Sequence, residues 1–265
     1  MAELSAASID LTVKGEVPED ARHYAREKVV GVAATSRDPI LHASVALAQR
    51  AEPARDRPAI AEATLDVNGK PVRAQVAASG MLEAVDLMVD RLARRLRRYE
   101  DQVHRNGRER HRTGVVTDGE WRHGDLPSQR PDHFERPYDE RELVRTKRFD
   151  LTPISVGEAI FDMDLLGHDF YLFTEVTTGS DAVVFLRDGR PLALQLPEGV
   201  EGDPTTGAAE EVELVAPAAR LSQRDAIERL DSGKERFVFF VDDETGRGAV
   251  VYHRYDGNWG LISAK

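Results

Sequence analysis

The stretch MLEAVDLMVDRLARRLRRY (Met81–Tyr99) joins an apolar helical pattern to a cluster of arginines. Apolar side chains recur in it at steps of three and four residues, which is the spacing of a helix with one buried face. They are Leu82, Val85, Val89, Leu92, Leu96 and Tyr99. At about 100° per residue, a group of arginines falls on an arc roughly 130° from this stripe and is predicted to face solvent. The group consists of Arg91, Arg94, Arg95 and Arg98, with Arg97 on its flank.

The residues before this helix predict a small α+β domain. Ser8–Glu16 and Ile40–Gln49 alternate apolar and polar side chains, which is typical of strands with one buried face. Pro18 stands where a first helix would begin. Asn68 and Gly69 separate two further strand patterns and indicate a tight hairpin. The predicted order over residues 1–103 is therefore β-α-β-β-β-α, an α+β fold with two helices on one face of a sheet.

The charge of the chain is unevenly distributed. The formal net charge is -11, yet residues 1–110 hold 18 Lys+Arg and 17 Asp+Glu, so the remainder has a net charge of -12. A solvated helix face usually mixes signs at i,i+4 spacing, whereas Arg91 and Arg95 form a like-charge pair that disfavours the helix. Arginine binds phosphate in a planar, bidentate way. The pattern favours contact with a nucleic acid over a merely solvated surface.

The kind of nucleic acid follows from what the sheet lacks. No aromatic pair in the predicted strands is suited to stacking bases, so readout of single strands is disfavoured. Backbone and shape recognition of structured RNA is the better interpretation.

Residues 104–142 are predicted to form a flexible linker. They contain no isoleucine and one leucine, and they are rich in Arg, Asp, Gly and Pro. As a flexible coil they would span about 35 Å on average. Trp121 within this segment is interpreted either as a small docking point or as a residue without a role.

The rest of the chain contains an internal repeat at an offset of 67 residues. Each copy predicts a short helix with a serine cap, followed by three strands joined by Thr-Gly and Asp-Gly turns. We place copy 1 at residues 143–198 and copy 2 at residues 199–265. Identical pairs include Ser155 and Ser222, Ala159 and Ala226, Ile160 and Ile227, Asp164 and Asp231, Phe170 and Phe237, and Phe173 and Phe240. Two copies are too few for a solenoid, so we infer the duplication of one small β-rich module.

Several kinds of site are disfavoured by the composition. The absence of cysteine excludes disulfides and thiol nucleophiles. No signal-peptide pattern and no apolar run of membrane-spanning length occurs, so we expect a cytoplasmic protein without a membrane span. The linker histidines lack metal-ligand spacing and no phosphate-binding glycine motif is present, so we expect no metal and no cofactor.

One polar cluster in copy 1 has the residue types of a carboxylate–histidine site. Copy 2 has Arg229 and Glu235 at two of its positions, so a polar helix end is the preferred interpretation and no enzyme activity is expected. The cluster consists of Asp162, Asp164, His168 and Asp169.

These features together resemble the long form of the bacterial hibernation-promoting factors. The N-terminal element order and Met81–Tyr99 resemble that family's ribosome-binding domain. The run VRTKRFDLTPISVGEAIFDMDLLGHDFYLFTEVTTG (Val144–Gly179) is similar to its C-terminal module. The resemblance extends over nearly all of residues 6–265. It implies a domain that binds the small ribosomal subunit in the mRNA and tRNA channel, blocks translation and preserves idle ribosomes.

The resemblance also implies site residues. The outward arginines would contact ribosomal RNA phosphates: Arg91, Arg94, Arg95 and Arg98. Three residues of the first helix are expected as secondary contacts, with surface solubility as the alternative: Arg22, Arg26 and Lys28. The acidic copies have the charge sign to meet basic ribosomal proteins.

The second copy departs from the family pattern. Long forms typically carry one C-terminal module, which pairs with its twin on a second factor and joins two ribosomes. A tethered partner has an effective concentration near millimolar, so we expect the copies to pair within the chain and keep ribosomes single. Candidates for the pairing face or the core are Phe170, Tyr171, Phe173, Phe237 and Phe239. Alternatives are pairing between chains that joins ribosomes, a general RNA-binding or transcription-modulating protein, and a hydrolase.

Overall fold

The structure, a computed structural model, forms two compact units, one N-terminal and one C-terminal. The described residues are 5–50, 57–109, 137–151, 153–187, 192–202, 204–205, 211–233, 235–254 and 257–265. Trp121 and most of the predicted linker lie outside these ranges. Among the described residues, no helix has both the length and the apolar character needed to cross a membrane.

The N-terminal unit is a four-stranded sheet on which two helices pack. Its elements are β1 (Asp10–Lys14), α1 (Glu19–Ala33), β2 (Ile40–Gln49), β3 (Ala59–Val67), β4 (Lys70–Ala78) and α2 (Met81–Glu109). The strand order is β1-β2-β3-β4, with β1 parallel to β2 and the other pairs antiparallel. The predicted order β-α-β-β-β-α and the α+β class are confirmed.

The hairpin between β3 and β4 has the predicted turn. Asn68 and Gly69 have φ values of 51° and 88°, which lie in the left-handed region that this two-residue turn requires. The Gly69 N–H also donates to Asp66 Oδ1 at 2.7 Å. The turn fixes the register of the two long strands whose inner face carries the core.

The buried face of α2 is rotated relative to the prediction. Leu82 is 50% exposed, whereas Met81, Ala84 and Met88 are buried against the sheet. At about 100° per residue, this places the centre of the buried face roughly 60° from the predicted stripe. The prediction weighted large aliphatic side chains and overlooked the methionines, which fill core space equally well.

The C-terminal unit contains two five-stranded sheets with the strand orders β10-β9-β8-β7-β6 and β11-β12-β13-β14-β5. Its elements are β5 (Leu143–Phe149), β6 (Pro153–Ile154), α3 (Val156–Leu166), β7 (Phe170–Glu175), β8 (Asp181–Leu186), β9 (Leu192–Gln195), β10 (Val212–Leu214), β11 (Arg220–Leu221), α4 (Gln223–Ser232), β12 (Phe237–Asp242), β13 (Gly248–His253) and β14 (Trp259–Ala264). The helix of each copy begins after a serine cap. Ser155 Oγ accepts from the Glu158 N–H at 3.3 Å, and Ser222 Oγ accepts from the Asp225 N–H at 3.1 Å.

The two copies exchange strands, so the sheets are not divided at the predicted boundary after residue 198. The first strand of copy 1, β5, pairs in parallel with β14, the last strand of copy 2. Reciprocally, β10 at the start of copy 2 pairs in parallel with β9 of copy 1. Each exchanged strand satisfies backbone groups that the last strand of the other copy would otherwise leave unpaired at its edge.

Both ends of the predicted linker, residues 104–142, are part of folded structure. Helix α2 continues to Glu109, six residues beyond the predicted end of the first domain. The ring of Tyr138 packs edge-on against Trp259 at 5.7 Å, and the Glu142 N–H donates to Asn258 Oδ1 at 3.2 Å. The approach to β5 is therefore held against copy 2.

Candidate functional surfaces

Two of the four arginines predicted to face solvent are buried, which corrects the prediction. Arg91 is 2% exposed and Arg95 is 5% exposed. Arg91 Nη1 donates to the Gln75 carbonyl at 2.5 Å, and Arg95 Nη1 donates to the Arg73 carbonyl at 2.6 Å. Both acceptors belong to β4, the edge strand, whose outer carbonyls have no neighbouring strand. The rotation of α2 brings these long side chains over that edge.

The exposed basic surface of α2 is formed by other members of the cluster. Arg94 is exposed and Arg98 is partly buried. Arg97, which the sequence pattern placed on the flank, is exposed as well. We define the α2 basic surface as Arg94, Arg97 and Arg98. The guanidinium groups of Arg94 and Arg97 can offer paired donors to phosphate oxygens, whereas that of Arg98 is already engaged in an ion pair with a carboxylate at 2.8 Å.

The three basic residues of α1 differ in their surroundings. Arg22 is engaged locally, since it donates to Glu19 Oε2 at 2.9 Å and to the Val17 carbonyl at 3.0 Å. Arg26 is partly buried. Lys28 is exposed, and its ammonium lies 5.0 Å from the centre of the Tyr24 ring. A hydrogen bond with Tyr24 raises the pKa of Lys28.

A buried carboxylate ties α2 to the loop after α1. Glu100 is 4% exposed, and its Oε1 accepts from Ser36 Oγ at 2.9 Å and from the Arg37 N–H at 2.6 Å. The sequence cluster was interpreted only through its arginines, and this acidic residue inside it was missed. Its contacts anchor the helix that carries the basic surface.

The surface between the two copies is nearly symmetric, because residues at equivalent positions contact each other. The rings of Phe170 and Phe237, which are 67 residues apart, lie 4.6 Å apart. Phe170 also lies 5.6 Å from Tyr252, and the equivalent contact joins Phe237 to Phe185 at 5.1 Å. Reciprocal contacts of this kind are typical of a two-fold, self-complementary interface.

An apolar cluster fills this surface, which we call the copy interface. It contains Leu172 of copy 1 and Phe239 at the equivalent position of copy 2, and likewise Val183 and Val250. Three of the predicted pairing residues therefore lie at the copy interface: Phe170, Phe237 and Phe239.

Tyr171 and Phe173 lie on the other face of β7, which corrects their assignment to pairing. Side chains alternate along a strand, so these two residues face away from the cluster that contains Leu172. Tyr171 Oη donates to Asp162 Oδ2 of α3 at 3.4 Å. Burial, together with the nearby charge of Asp162, raises the pKa of Tyr171 to about 12. Phe173 is 1% exposed and belongs to the interior of its own copy.

A charged group joins the two copies beside the apolar cluster of the copy interface. Asp181 of copy 1 accepts two bonds from the guanidinium of Arg247 in copy 2, at 2.8 and 3.0 Å. The Gly248 N–H and Thr174 Oγ1 donate to it at 2.8 and 2.9 Å. Burial by itself would raise the pKa of Asp181, but the bonds from Arg247, Gly248 and Thr174 outweigh it and lower the pKa. The sequence pattern gave no sign of this group, since its members are distant in the chain.

One member of the polar cluster of copy 1, Asp162, has a structural role. Asp162 receives the Tyr171 hydroxyl, as described above. Within the part of the chain that the structure describes, no group of three or more His, Cys, Asp or Glu side chains is placed to hold a metal ion.

Two family profiles match this chain. The one described as "Sigma 54 modulation protein / S30EA ribosomal protein" matches residues 9–104. The one described as "Sigma 54 modulation/S30EA ribosomal protein C terminus" matches twice, at residues 138–191 and 214–261. The two C-terminal matches coincide with the repeat found in the sequence.

Two curated relatives match between about half and four fifths of the chain. A "Dormancy associated translation inhibitor" of Mycobacterium tuberculosis is 31% identical over 220 residues, which is 78% of this chain and 71% of the relative. The "Ribosome hibernation promotion factor" of Lactococcus lactis is 34% identical over 130 residues, which is 49% of this chain and 67% of the relative. Among solved structures, the Protein Y N-terminal domain of Thermus thermophilus is 23% identical and covers 35% of this chain and 98% of that domain, with a TM-score of 0.29. With its S30EA domain and two C-terminal modules, the chain belongs to the family of long-form ribosome hibernation factors.

Proposed function

We propose that the N-terminal domain binds the small ribosomal subunit in the channel used by mRNA and tRNA, and so blocks translation while the ribosome is idle. The names of the relatives support an inhibitory role at the ribosome. Two exposed arginines of the α2 basic surface, Arg94 and Arg97, support contact with ribosomal RNA phosphates. Lys28 is proposed as a secondary contact. The role is that of a cytoplasmic binding protein that acts by occlusion and requires no chemistry.

We further propose that the copies pair within one chain, so that each bound ribosome stays single. The observation that carries this proposal is the contact between equivalent residues of one chain, above all Phe170 with Phe237. The reciprocal exchange of β5 and β10 supports it as well, because each copy completes the sheet of the other. An apolar face covered within the chain is no longer offered to a factor on a second ribosome.

Sedimentation of ribosomes mixed with the purified full-length chain tests this function. We expect the chain to co-sediment with single ribosomes and translation to be inhibited in the same samples. A dominant peak of paired ribosomes would overturn the proposal of single ribosomes and favour pairing between chains. Co-sedimentation with free RNA but not with intact ribosomes would instead indicate a general RNA-binding protein.

A further inference from the structure

The copy interface is nearly symmetric in its apolar contacts but not in the charged group that joins the two copies. Three neighbouring positions differ between the copies although the strands around them are equivalent. They are Thr174 and Val241, Ser180 and Arg247, and Asp181 and Gly248. In each sheet the first of these positions is paired across the strands with the third, as Thr174 with Asp181 and Val241 with Gly248. Copy 1 thus contributes the Asp181 carboxylate as acceptor. Copy 2 contributes the Arg247 cation and the backbone N–H of Gly248.

The Asp181 carboxylate accepts hydrogen bonds from groups of both copies. Arg247 binds Asp181 through two nitrogens, and its Nη1 also donates to the Lys265 carbonyl of its own copy. The Gly248 N–H and Thr174 Oγ1 complete the set of donors. A buried carboxylate is tolerated when it is paired and hydrogen-bonded in this way.

The backbone of copy 2 leaves room for this carboxylate only because residue 248 is glycine. A Cβ atom at Gly248 would lie 2.6 Å from Cβ of Asp181 and 3.0 Å from the ring of Phe239. Positions 181 and 248 are equivalent and in direct contact, so they lie beside the pseudo-two-fold axis. A side chain on both sides of the axis does not fit in this geometry.

We propose that Asp181, Arg247 and Gly248 form a selectivity site that makes copy 1 pair with copy 2 and disfavours pairing of like copies. This inference rests on the proposed pairing within the chain and names the residues that direct it. Two copies of the copy 1 type would bring two Asp181 carboxylates together with no Arg247 between them, and their Cβ atoms would clash. Two copies of the copy 2 type would bring two Arg247 cations to this site without the Asp181 carboxylate that binds one of them. Discrimination by repulsion against the wrong partner is a general means of specificity.

Full-length variants that carry one type of centre in both copies test the proposal. The Asp-type chain carries Val241→Thr, Arg247→Ser and Gly248→Asp. The Gly-type chain carries Thr174→Val, Ser180→Arg and Asp181→Gly. The matched control is the swapped chain with all six substitutions, which moves the selectivity site to the other side of the pseudo-two-fold axis without changing the composition of the interface.

Amide hydrogen exchange in β5 and β10 is the first measurement, because each of these strands pairs with a strand of the other copy. We expect the Asp-type chain to lose at least about 100-fold of the protection of the wild-type amides, since a second buried carboxylate has no partner. The swapped chain is expected to regain protection to within a few fold of wild type. Unchanged protection in the Asp-type chain, or no recovery in the swapped chain, would overturn the inference.

Sedimentation velocity of mixed variants is the second measurement. We expect an equimolar mixture of Asp-type and Gly-type chains to form a species of two chains, which neither variant forms alone. Absence of that species also counts against the selectivity site. Neither measurement uses ribosomes, so their failure is distinct from failure of the proposed function, which is tested with the wild-type chain on ribosomes.

Discussion

Replacing Arg91 and Arg94 by glutamine, one at a time, separates an arginine that holds the domain together from one that binds RNA. Arg91 is 2% exposed and donates to the Gln75 carbonyl at 2.5 Å. Loss of a buried hydrogen bond from a charged donor costs about 1.5–3 kcal/mol. For a domain of about 100 residues, a loss of about 2 kcal/mol lowers Tm by roughly 10 °C. Arg94 is exposed, and its replacement is expected to change the free energy of unfolding by no more than about 0.5 kcal/mol.

The opposite order is expected for ribosome binding. Each phosphate contact that is lost lowers the slope of log affinity against log salt by about one, so Arg94→Gln should weaken binding most at low salt. Arg97→Gln is expected to behave in the same way, whereas Arg91→Gln should leave the slope unchanged once the domain is folded. The assay is ribosome affinity between about 50 and 200 mM salt, beside thermal unfolding of the same proteins. The reasoning is refuted if Arg91→Gln reduces the slope without lowering Tm.

Phe237→Ala removes ring contacts with Phe170 and Phe185 and should destabilise the C-terminal unit by about 2–3 kcal/mol in denaturant unfolding. A loss below about 0.5 kcal/mol would contradict the packing of Phe237 at the copy interface. Because the pKa of Asp181 lies below its ordinary value of 3.8, the stability that it contributes is complete above about pH 4 and is lost as the pH falls through the lowered pKa. Urea unfolding as a function of pH should therefore show a wild-type decline that Asp181→Asn lacks, and parallel curves would argue against this linkage. Glu100→Ala leaves the Arg37 N–H without its acceptor, while the Ser36 hydroxyl keeps the Asp38 carbonyl at 2.9 Å, and should lower the free energy of unfolding by about 2 kcal/mol. Thermal unfolding measures this loss, and an unchanged Tm would show that the buried carboxylate is dispensable.

The N-terminal fold was predictable because its signals are local. Alternation over Ile40–Gln49, the Asn68-Gly69 turn and the periodicity of α2 each depend on residues within one element or one turn. The orientation of α2 about its axis was not predictable to better than about 60°. The helical pattern places Arg91 and Arg95 in solvent because they lie on an arc away from the apolar stripe, although a long guanidinium side chain can reach the carbonyls of an edge strand.

The sequence was equally unable to show which face of each copy pairs with the other copy. The repeat identified Phe170 and Phe237 as equivalent, but the first four residues of β7 are apolar or aromatic, so both faces of the strand carry such side chains. Alternation separates Phe170 from Tyr171 without saying which of them faces the helix and which faces the other copy. Only the packing of α3, with Asp162 beside Tyr171, resolved the choice.

The amino-acid sequence by itself determined the order of elements, the duplication at 67 residues and the uneven distribution of charge, because periodicity, turn chemistry and repeats are carried by neighbours along the chain. The tertiary structure alone decided which arginines remain on the surface, that β5 and β10 are exchanged, and that Asp181 meets Arg247 and Gly248. These outcomes depend on edge strands that need partners and on a buried carboxylate that needs donors. Such needs are met by residues that only folding brings together.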